Sequence, residues 1–137
     1  MAELKTGIMG KETVKVAKEN TASTVGSGLL PVFATPSMIA LMEKTASESV
    51  APYLEEGLGT VGTHIDVMHT SATPLGMEIV CQSELIEIDG RRLVFSVVAF
   101  DECGEIGKGT HERFIINNEK FLAKAVSKKE SKNNKNG

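Results

Sequence analysis

The spacing of hydrophobic positions predicts one long helix in the first half of the chain. From Thr35 to about Ala51, apolar or small residues recur at the intervals of one helical face: Met38, Leu41, Met42, Thr45, Ala46 and Ser49. Further apolar positions lie on another side of this helix, so we expect it to be deeply buried. Thr35 followed by Pro36 is typical of an N-cap and a first helical position, and Pro52 predicts the helix end.

Alternating apolar and polar residues predict strands on both sides of this helix. The strands are expected at about Glu12 to Lys18, Thr60 to Thr70, Met77 to Ile88, Arg91 to Phe100 and Glu105 to Asn117. Asp89-Gly90 is a strong signal for a two-residue hairpin. In the second strand, the alternation assigns Val61, Thr63, Ile65, Val67 and His69 to one face.

Together these elements predict an α+β domain in which an antiparallel five-stranded sheet wraps around one long central helix. The domain is expected to span residues 1–120. Residues 121–137 form a lysine-rich tail without an apolar period, which predicts a solvated, mobile end after the last element. The loop before the helix, residues 19–34, is long enough to be a lid or part of a site. Open sheet edges favour a homodimer.

Charge and composition exclude several classes of function. The net charge is −3, and the tail beyond Lys120 carries five lysines against one glutamate, so the rest of the chain is clearly acidic. An acidic body is a poor nucleic-acid surface. No apolar run approaches the length of a membrane span, and the N-terminus has no signal-peptide pattern. Two cysteines, Cys81 and Cys103, are too few for a disulfide framework, so a cytoplasmic location is expected.

Three side chains are candidates for chemistry. Glu43 lies in the middle of the predicted helix, where burial would make it a stronger base, although it can equally lie on an exposed stripe. His69 is in phase with Ile65 and Val67, which fits a functional histidine or a core histidine bound to a backbone carbonyl. Thr35 is expected to be an N-cap, and the same position favours developing negative charge.

Metal and cofactor chemistry find no support in the sequence. The histidines at 64, 69 and 111 and the two cysteines lack the spacing of metal ligands, and there is no P-loop, GxGxxG or GxSxG motif. His64 and Asp66 have the opposite phase to His69 and are interpreted as surface or interface residues. Cys81 sits in mid-strand with no neighbouring base, so it is a weak candidate for a nucleophile.

At VFATPSMIALMEKTASESVAPYL the sequence resembles the hot-dog-fold acyl-CoA thioesterases, in particular the fluoroacetyl-CoA thioesterase type. The resemblance continues through GTVGTHIDVMHTSATPLGMEI, EIDGRRLVFSVVAFD and EIGKGTHERFIINNEKFLAK, and covers about Pro31 to Lys124. It implies a hot-dog fold, with the long helix wrapped by the antiparallel sheet, paired into homodimers. It also implies a small acyl-CoA as substrate.

The resemblance carries over to individual residues. It implies that Thr35, Glu43 and His69 form the catalytic set. It further implies that Gly62 and Arg113 contact the substrate and that Phe33 lines the acyl pocket. Without a side chain, Gly62 would let its backbone approach the thioester carbonyl, whereas Arg113 can also be a plain surface residue. Arg91, Arg92 and Lys108 are candidates for the CoA phosphates.

One departure from the family concerns the loop before Phe33. The stretch Thr24 to Pro31 contains no phenylalanine, unlike the fluoroacetyl-specific enzyme, so a general small acyl-CoA is the expected substrate. Two other functions remain open on this fold: a non-catalytic acyl-CoA-binding module, and a dehydratase acting on an acyl thioester. The presence of Glu43, His69 and Arg113 together favours the hydrolase.

Overall fold

A computed structural model describes residues 3–136, with side chains described as far as Lys132. The strands are β1 (Met9–Lys15), β2 (Leu58–His69), β3 (Glu78–Asp89), β4 (Arg92–Asp101) and β5 (Gly104–Asn117). The helices are α1 (Ala22–Val25), α2 (Thr35–Val50) and α3 (Asn118–Asn136). The order of strand, helix and four strands agrees with the sequence prediction. The first strand lies about three residues earlier than expected.

Helix α2 is the central element because its apolar face meets the sheet. The buried residues of this helix are Met38, Leu41, Met42, Thr45, Ala46 and Val50. All but the last lie on the face that the residue spacing predicts. They pack in one core with inward-facing strand residues such as Ile79, Leu85 and Phe95. Pro52 lies two residues beyond Val50, the last residue of α2, where a proline cannot continue the α-helical hydrogen bonding.

The five strands form one antiparallel sheet in the order β1-β3-β4-β5-β2. Strands β3, β4 and β5 are consecutive neighbours joined by tight turns. Gly90 in the β3–β4 turn has a φ of 61°, a left-handed conformation that glycine adopts without strain, as the Asp-Gly signal predicts. Strands β1 and β2 are the two edges, so one side of β2 has no strand partner within residues 3–136.

A β-bulge at Thr63 changes which residues of β2 face the helix. Gly62 pairs with Arg113 and His64 pairs with Glu112, so Thr63 is the extra residue. A bulge shifts the alternation by one position. Gly62 therefore shares the inner face with His69, although their numbers differ in parity. The prediction that Val61 and Thr63 lie in phase with Ile65 is wrong for this reason, whereas Ile65, Val67 and His69 do share a face.

The C-terminal segment is helical, whereas the sequence pattern predicts only a solvated end. Helix α3 leaves the last strand, and its described side chains are exposed, including Phe121, Leu122 and Val126. The sequence lacks an apolar period because no face of α3 is buried in the domain. Alanine, leucine, lysine and glutamate have high helix propensity, which accounts for a helix without that period. The mobility of the tail stays a prediction.

Candidate active site

Thr35 and His69 form a direct contact at the start of α2. Thr35 Oγ1 lies 2.7 Å from His69 Nδ1, at the end of β2. The predicted N-cap role of Thr35 is wrong. Ala34 is the N-cap, Thr35 is the first helical residue, and no side chain caps the helix. The hydroxyl is directed to the imidazole and not to a backbone N–H of α2, so it is available for chemistry.

The surroundings of His69 favour its neutral form. Burial lowers the pKa of His69, and the nearby polar backbone of Ser71 opposes that shift in part. The second ring nitrogen, Nε2, is buried and has no hydrogen-bond partner within the described residues. A neutral imidazole with one nitrogen on a hydroxyl and the other unpartnered can accept or deliver a proton.

A small cavity adjoins this pair. Its volume is about 290 Å³, and its wall includes Phe33, Thr35 and His69. Most of its other lining residues are small: Ala22, Ser27, Val32, Thr70, Ser71 and Ala72. Phe33 is buried, and its backbone N–H donates to the Thr73 carbonyl, which fixes the aromatic wall of the cavity. The pocket-lining position predicted for Phe33 agrees with this geometry.

Glu43 and Gly62 form a second cluster, farther along α2. The Glu43 side chain is 43% exposed, so the helix does not bury it fully. A Cβ atom at Gly62 would lie 2.7 Å from Glu43 Oε1, closer than real Cβ atoms approach. The glycine therefore leaves space for the carboxylate. A cavity of about 240 Å³ is lined by both residues and by Thr63, His64, Ile65 and His111.

Arg113 is buried beside this carboxylate and is not the surface residue that one interpretation allows. Its Nη1 lies 3.9 Å from Glu43 Oε1. Its Nε donates to Thr60 Oγ1 at 2.7 Å, and its Nη2 donates to the Thr60 carbonyl at 2.9 Å. Burial lowers the pKa of Arg113, and the charge of Glu43 acts in the opposite direction. The guanidinium remains charged because its ordinary pKa is so high.

His111 is the residue of this cluster that the sequence reasoning missed. Its ring is buried, with Nδ1 at 2.8 Å from the His64 carbonyl and Nε2 at 3.1 Å from Arg113 Nη1. The sequence does contain a signal. His111, Arg113 and Ile115 are every second residue of β5, so their side chains share one face. Because Ile115 is apolar, the sequence predicts that this is the inner face.

The two clusters are separated in the single chain. Thr35 and Glu43 are eight residues apart on α2, which corresponds to about 12 Å along the helix. A thioester carbonyl at hydrogen-bond distance from one cluster cannot contact the other. The structure thus joins Thr35 with His69, and Glu43 with Gly62 and Arg113, but it does not join the two groups.

Two of the residues predicted as candidates for the CoA phosphates lie beside acidic side chains of this chain. Arg92, a candidate for CoA phosphates, is bound by Glu87 and Glu112 at 2.8 Å each. Lys108 lies 3.9 Å from Glu105.

Within residues 3–136, no group of three or more histidine, cysteine or acidic side chains is arranged to hold a metal ion. In the same part of the chain, no helix is both long and apolar enough to cross a bilayer.

Comparison with known proteins identifies the family. The model of the FlK family, fluoroacetyl-CoA-specific thioesterase, matches residues 16–119. The fluoroacetyl-CoA thioesterase of Streptantibioticus cattleyicolor is 50% identical over 97 residues, which cover 71% of this chain and 70% of that protein.

Solved structures agree with that match. The crystal structure of a FlK mutant in complex with fluoroacetate and CoA is 40% identical, with a TM-score of 0.82 over 86% of this chain and 99% of FlK. A hot-dog-like protein from Thermanaerovibrio acidaminovorans is 26% identical, with a TM-score of 0.81 over 90% of this chain and 91% of that one. The predicted hot-dog fold is confirmed. With its fold, its sequence and the match over residues 16–119 in agreement, the chain belongs to the fluoroacetyl-CoA-specific thioesterase family.

Proposed function

We propose that this protein hydrolyses small acyl-CoA thioesters to a free acid and CoA, with Thr35, Glu43 and His69 as the catalytic set. Its family makes it an acyl-CoA thioesterase. The observation that carries the choice of residues is the 2.7 Å contact between Thr35 and His69 beside a small cavity. A hydroxyl and a neutral imidazole at a helix N-terminus form a site suited to developing negative charge.

The dimensions of the first cavity support a small acyl group. About 290 Å³ lies at the low end for a ligand pocket, and Phe33 closes one wall. The family member FlK binds fluoroacetate and CoA in its mutant structure. The loop from Thr24 to Pro31 in the present chain has no aromatic residue, so we propose a range of small acyl groups and no strict preference for fluoroacetyl.

We further propose that the two clusters act together across a homodimer. Strand β2 is a twelve-residue edge that contains neither lysine nor proline, the residues that commonly protect a sheet edge. An antiparallel pairing of β2 with β2 of a second copy, centred on Asp66 and with Thr63 bulged in each copy, brings Gly62 of one copy opposite His69 of the other. The Glu43 carboxylate would then face the Thr35–His69 pair of its partner.

Two chemical routes fit this composite site. In the first, Glu43 takes a proton from a water molecule, whose oxygen attacks the thioester carbonyl carbon while CoA leaves as the thiolate. In the second, the Glu43 carboxylate attacks the carbonyl itself, CoA leaves, and water hydrolyses the resulting anhydride. In both, the Gly62 N–H polarises the carbonyl, Thr35 orients the reacting groups, and His69 exchanges a proton through its unpartnered nitrogen.

A thiol-release assay tests the function. We expect the purified protein to release CoA from acetyl-, fluoroacetyl-, propionyl- and butyryl-CoA. Glu43→Gln should lower turnover by about 10²–10⁴-fold, as removal of a general base typically does. Glu48→Gln is the matched control, because Glu48 is exposed on the same helix, outside both cavities.

Two outcomes would contradict the proposal. If no ester is hydrolysed and calorimetry shows tight binding of acyl-CoA, the protein is a binding module. If the wild type is active and Glu43→Gln is equally active, the catalytic set is wrong. Mass spectrometry of the quenched reaction separates the two routes, since an acyl adduct on Glu43 forms only in the second.

A further inference from the structure

His111 is a buried, titratable side chain to which the proposed mechanism gives no role. It lies on β5 between the outward-facing Thr110 and Glu112, and its ring packs beside Phe95, with centroids 6.3 Å apart. Its Cε1 would be 3.2 Å from a Cβ at Gly62. The histidine is therefore part of the wall on which the Glu43 carboxylate rests.

The neighbours of His111 determine its tautomer. A backbone carbonyl can only accept, so His111 Nδ1 must carry the hydrogen that it donates to the His64 oxygen at 2.8 Å. A guanidinium can only donate, so His111 Nε2 must be unprotonated to accept from Arg113 Nη1 at 3.1 Å. Both contacts are satisfied by one neutral form alone.

Arg113 connects this histidine to Glu43. Thr60 receives hydrogen bonds from Nε and Nη2 of Arg113, which leaves Nη1 as the nitrogen directed at both His111 and Glu43. An acceptor at His111 Nε2 takes one of the two Nη1 hydrogens. The other Nη1 hydrogen remains for Glu43, whose Oε1 lies 3.9 Å from Nη1.

We propose that His111 is a positioning residue that, as its Nδ1–H tautomer, holds the Arg113 guanidinium in the orientation that places the Glu43 carboxylate over Gly62. The effect of His111 on hydrolysis rests on the proposed function, because it requires that Glu43 acts in hydrolysis. The hydrogen-bond arrangement itself is independent of any substrate.

Protonation of His111 should release this arrangement. An N–H at Nε2 would point at the Arg113 cation, so the two groups would repel each other. Burial lowers the pKa of His111, and the nearby charge of Arg113 acts in the same direction, whereas the His64 carbonyl, Glu43 and Glu112 raise it. Glu43 on α2 and Arg113 on β5 are the charged groups that face His111. Glu112 points to the other side of β5 but is near enough for its charge to act, and His64 on β2 contributes its backbone carbonyl.

A matched pair of substitutions separates the two hydrogen bonds. His111→Gln reaches far enough to keep an acceptor for Arg113, whereas His111→Asn can keep the donor to the His64 carbonyl but falls short of Arg113. We expect His111→Asn to lower kcat by about 10²-fold, as misplacement of a reacting group does. His111→Gln should stay within about tenfold of wild type, the range of one ordinary hydrogen bond.

The pH profile gives a readout that a structural role alone would not change. If protonation of His111 lowers kcat at low pH, that fall in kcat should be absent in His111→Gln, because an amide does not titrate. The proposal would be overturned if the two variants had equal kcat. It would also be overturned if kcat fell in the same way at low pH in the wild type and in His111→Gln.

Nitrogen NMR of the wild-type protein tests the inference without activity. Long-range ¹H–¹⁵N spectra should show a protonated Nδ1 and a bare Nε2 for His111, and slow exchange of the Arg113 guanidinium protons. The opposite tautomer would refute it even if both variants misfold. Absence of acyl-CoA hydrolysis by a protein with the expected tautomer would instead refute only the proposed function.

Discussion

The two side-chain clusters along helix α2, one at its start and one at its middle, present different chemistry to the sheet. At its start, Thr35 and His69 are in close contact beside a small cavity, and the imidazole is held neutral by burial. Two turns later, Glu43 is only partly buried, and its nearest cation is 3.9 Å away. The first group is a complete hydrogen-bonded pair, and the second is a carboxylate placed in an open cavity. We propose on this basis that each is half of a site.

The largest effect that we expect from a change in the first cluster is that of His69→Asn. The Asn amide reaches the position of Nδ1, so it can still contact Thr35, but it cannot exchange a proton, and kcat should fall by about 10²–10⁴-fold. Glu48→Gln again serves as the control, because Glu48 is exposed and lies outside both cavities. Steady-state kinetics on acetyl-CoA check this. A His69→Asn enzyme with wild-type kcat would show that the imidazole takes no part in the chemistry.

A change of Gly62, in the second cluster, should have a somewhat smaller effect. Gly62→Ala places a methyl group within 2.7 Å of Glu43 Oε1, and the flexible carboxylate must move away. We expect a fall in kcat of about 10²-fold, with the folded structure retained, because Gly62 has ordinary strand backbone. Gly28→Ala is a control at a position with open space, where the nearest contact is an ordinary 3.4 Å. Full activity of Gly62→Ala would show that the carboxylate position is unimportant.

These expectations rest on geometry that the sequence supplied only in part. The 3.6-residue spacing of Met38, Leu41 and Met42 predicted α2, and the Asp89-Gly90 pair predicted the hairpin, because both are local patterns. The bulge at Thr63 was not predictable from alternation, since it depends on pairing with β5. For the same reason the sequence alone did not reveal that Gly62 and His69 share a face.

The sequence offered the candidate site residues as a set, and this set stays a prediction, but it did not predict their arrangement. The resemblance to thioesterases named Thr35, Glu43 and His69 together, whereas the folded chain divides them. Thr35 was expected to cap its helix, because a threonine before a proline usually does. The hydroxyl instead contacts an imidazole 34 residues away in sequence, a partner that only the tertiary fold provides. His111 was overlooked because its role depends on the neighbouring Arg113.

The smallest expected effect is on the stability of the fold, and it concerns a histidine in each of the two clusters. The pKa values of His69 and His111 are lowered in the folded state, so the unfolded chain binds protons first as the pH falls. Stability from these histidines is therefore present above their unfolded pKa of about 6.5 and declines as the pH falls from there toward their folded values. Thermal unfolding between about pH 5 and pH 8 should show a rising midpoint.

The same pH series of thermal unfolding in His111→Gln separates the contributions of the two histidines. The slope that remains belongs chiefly to His69, and the slope that is lost belongs to His111. A midpoint independent of pH over this range would mean that both histidines titrate normally in the folded protein. Glu112 and Asp101, whose pKa values are lowered mainly by Arg92 and by Thr73, act only at lower pH.

The most direct test of the central claim, that the two clusters form one site across a dimer, is complementation. Chains carrying Thr35→Ala and chains carrying Glu43→Gln are each prepared, unfolded, mixed in equal amounts and refolded. In a mixed dimer, one composite site carries both substitutions and the other carries neither. The account predicts that mixing two inactive proteins restores about a quarter of the wild-type activity, since half of the dimers are mixed and each has one intact site. No activity in mixtures that contain mixed dimers would contradict it and would place the whole catalytic set within one chain.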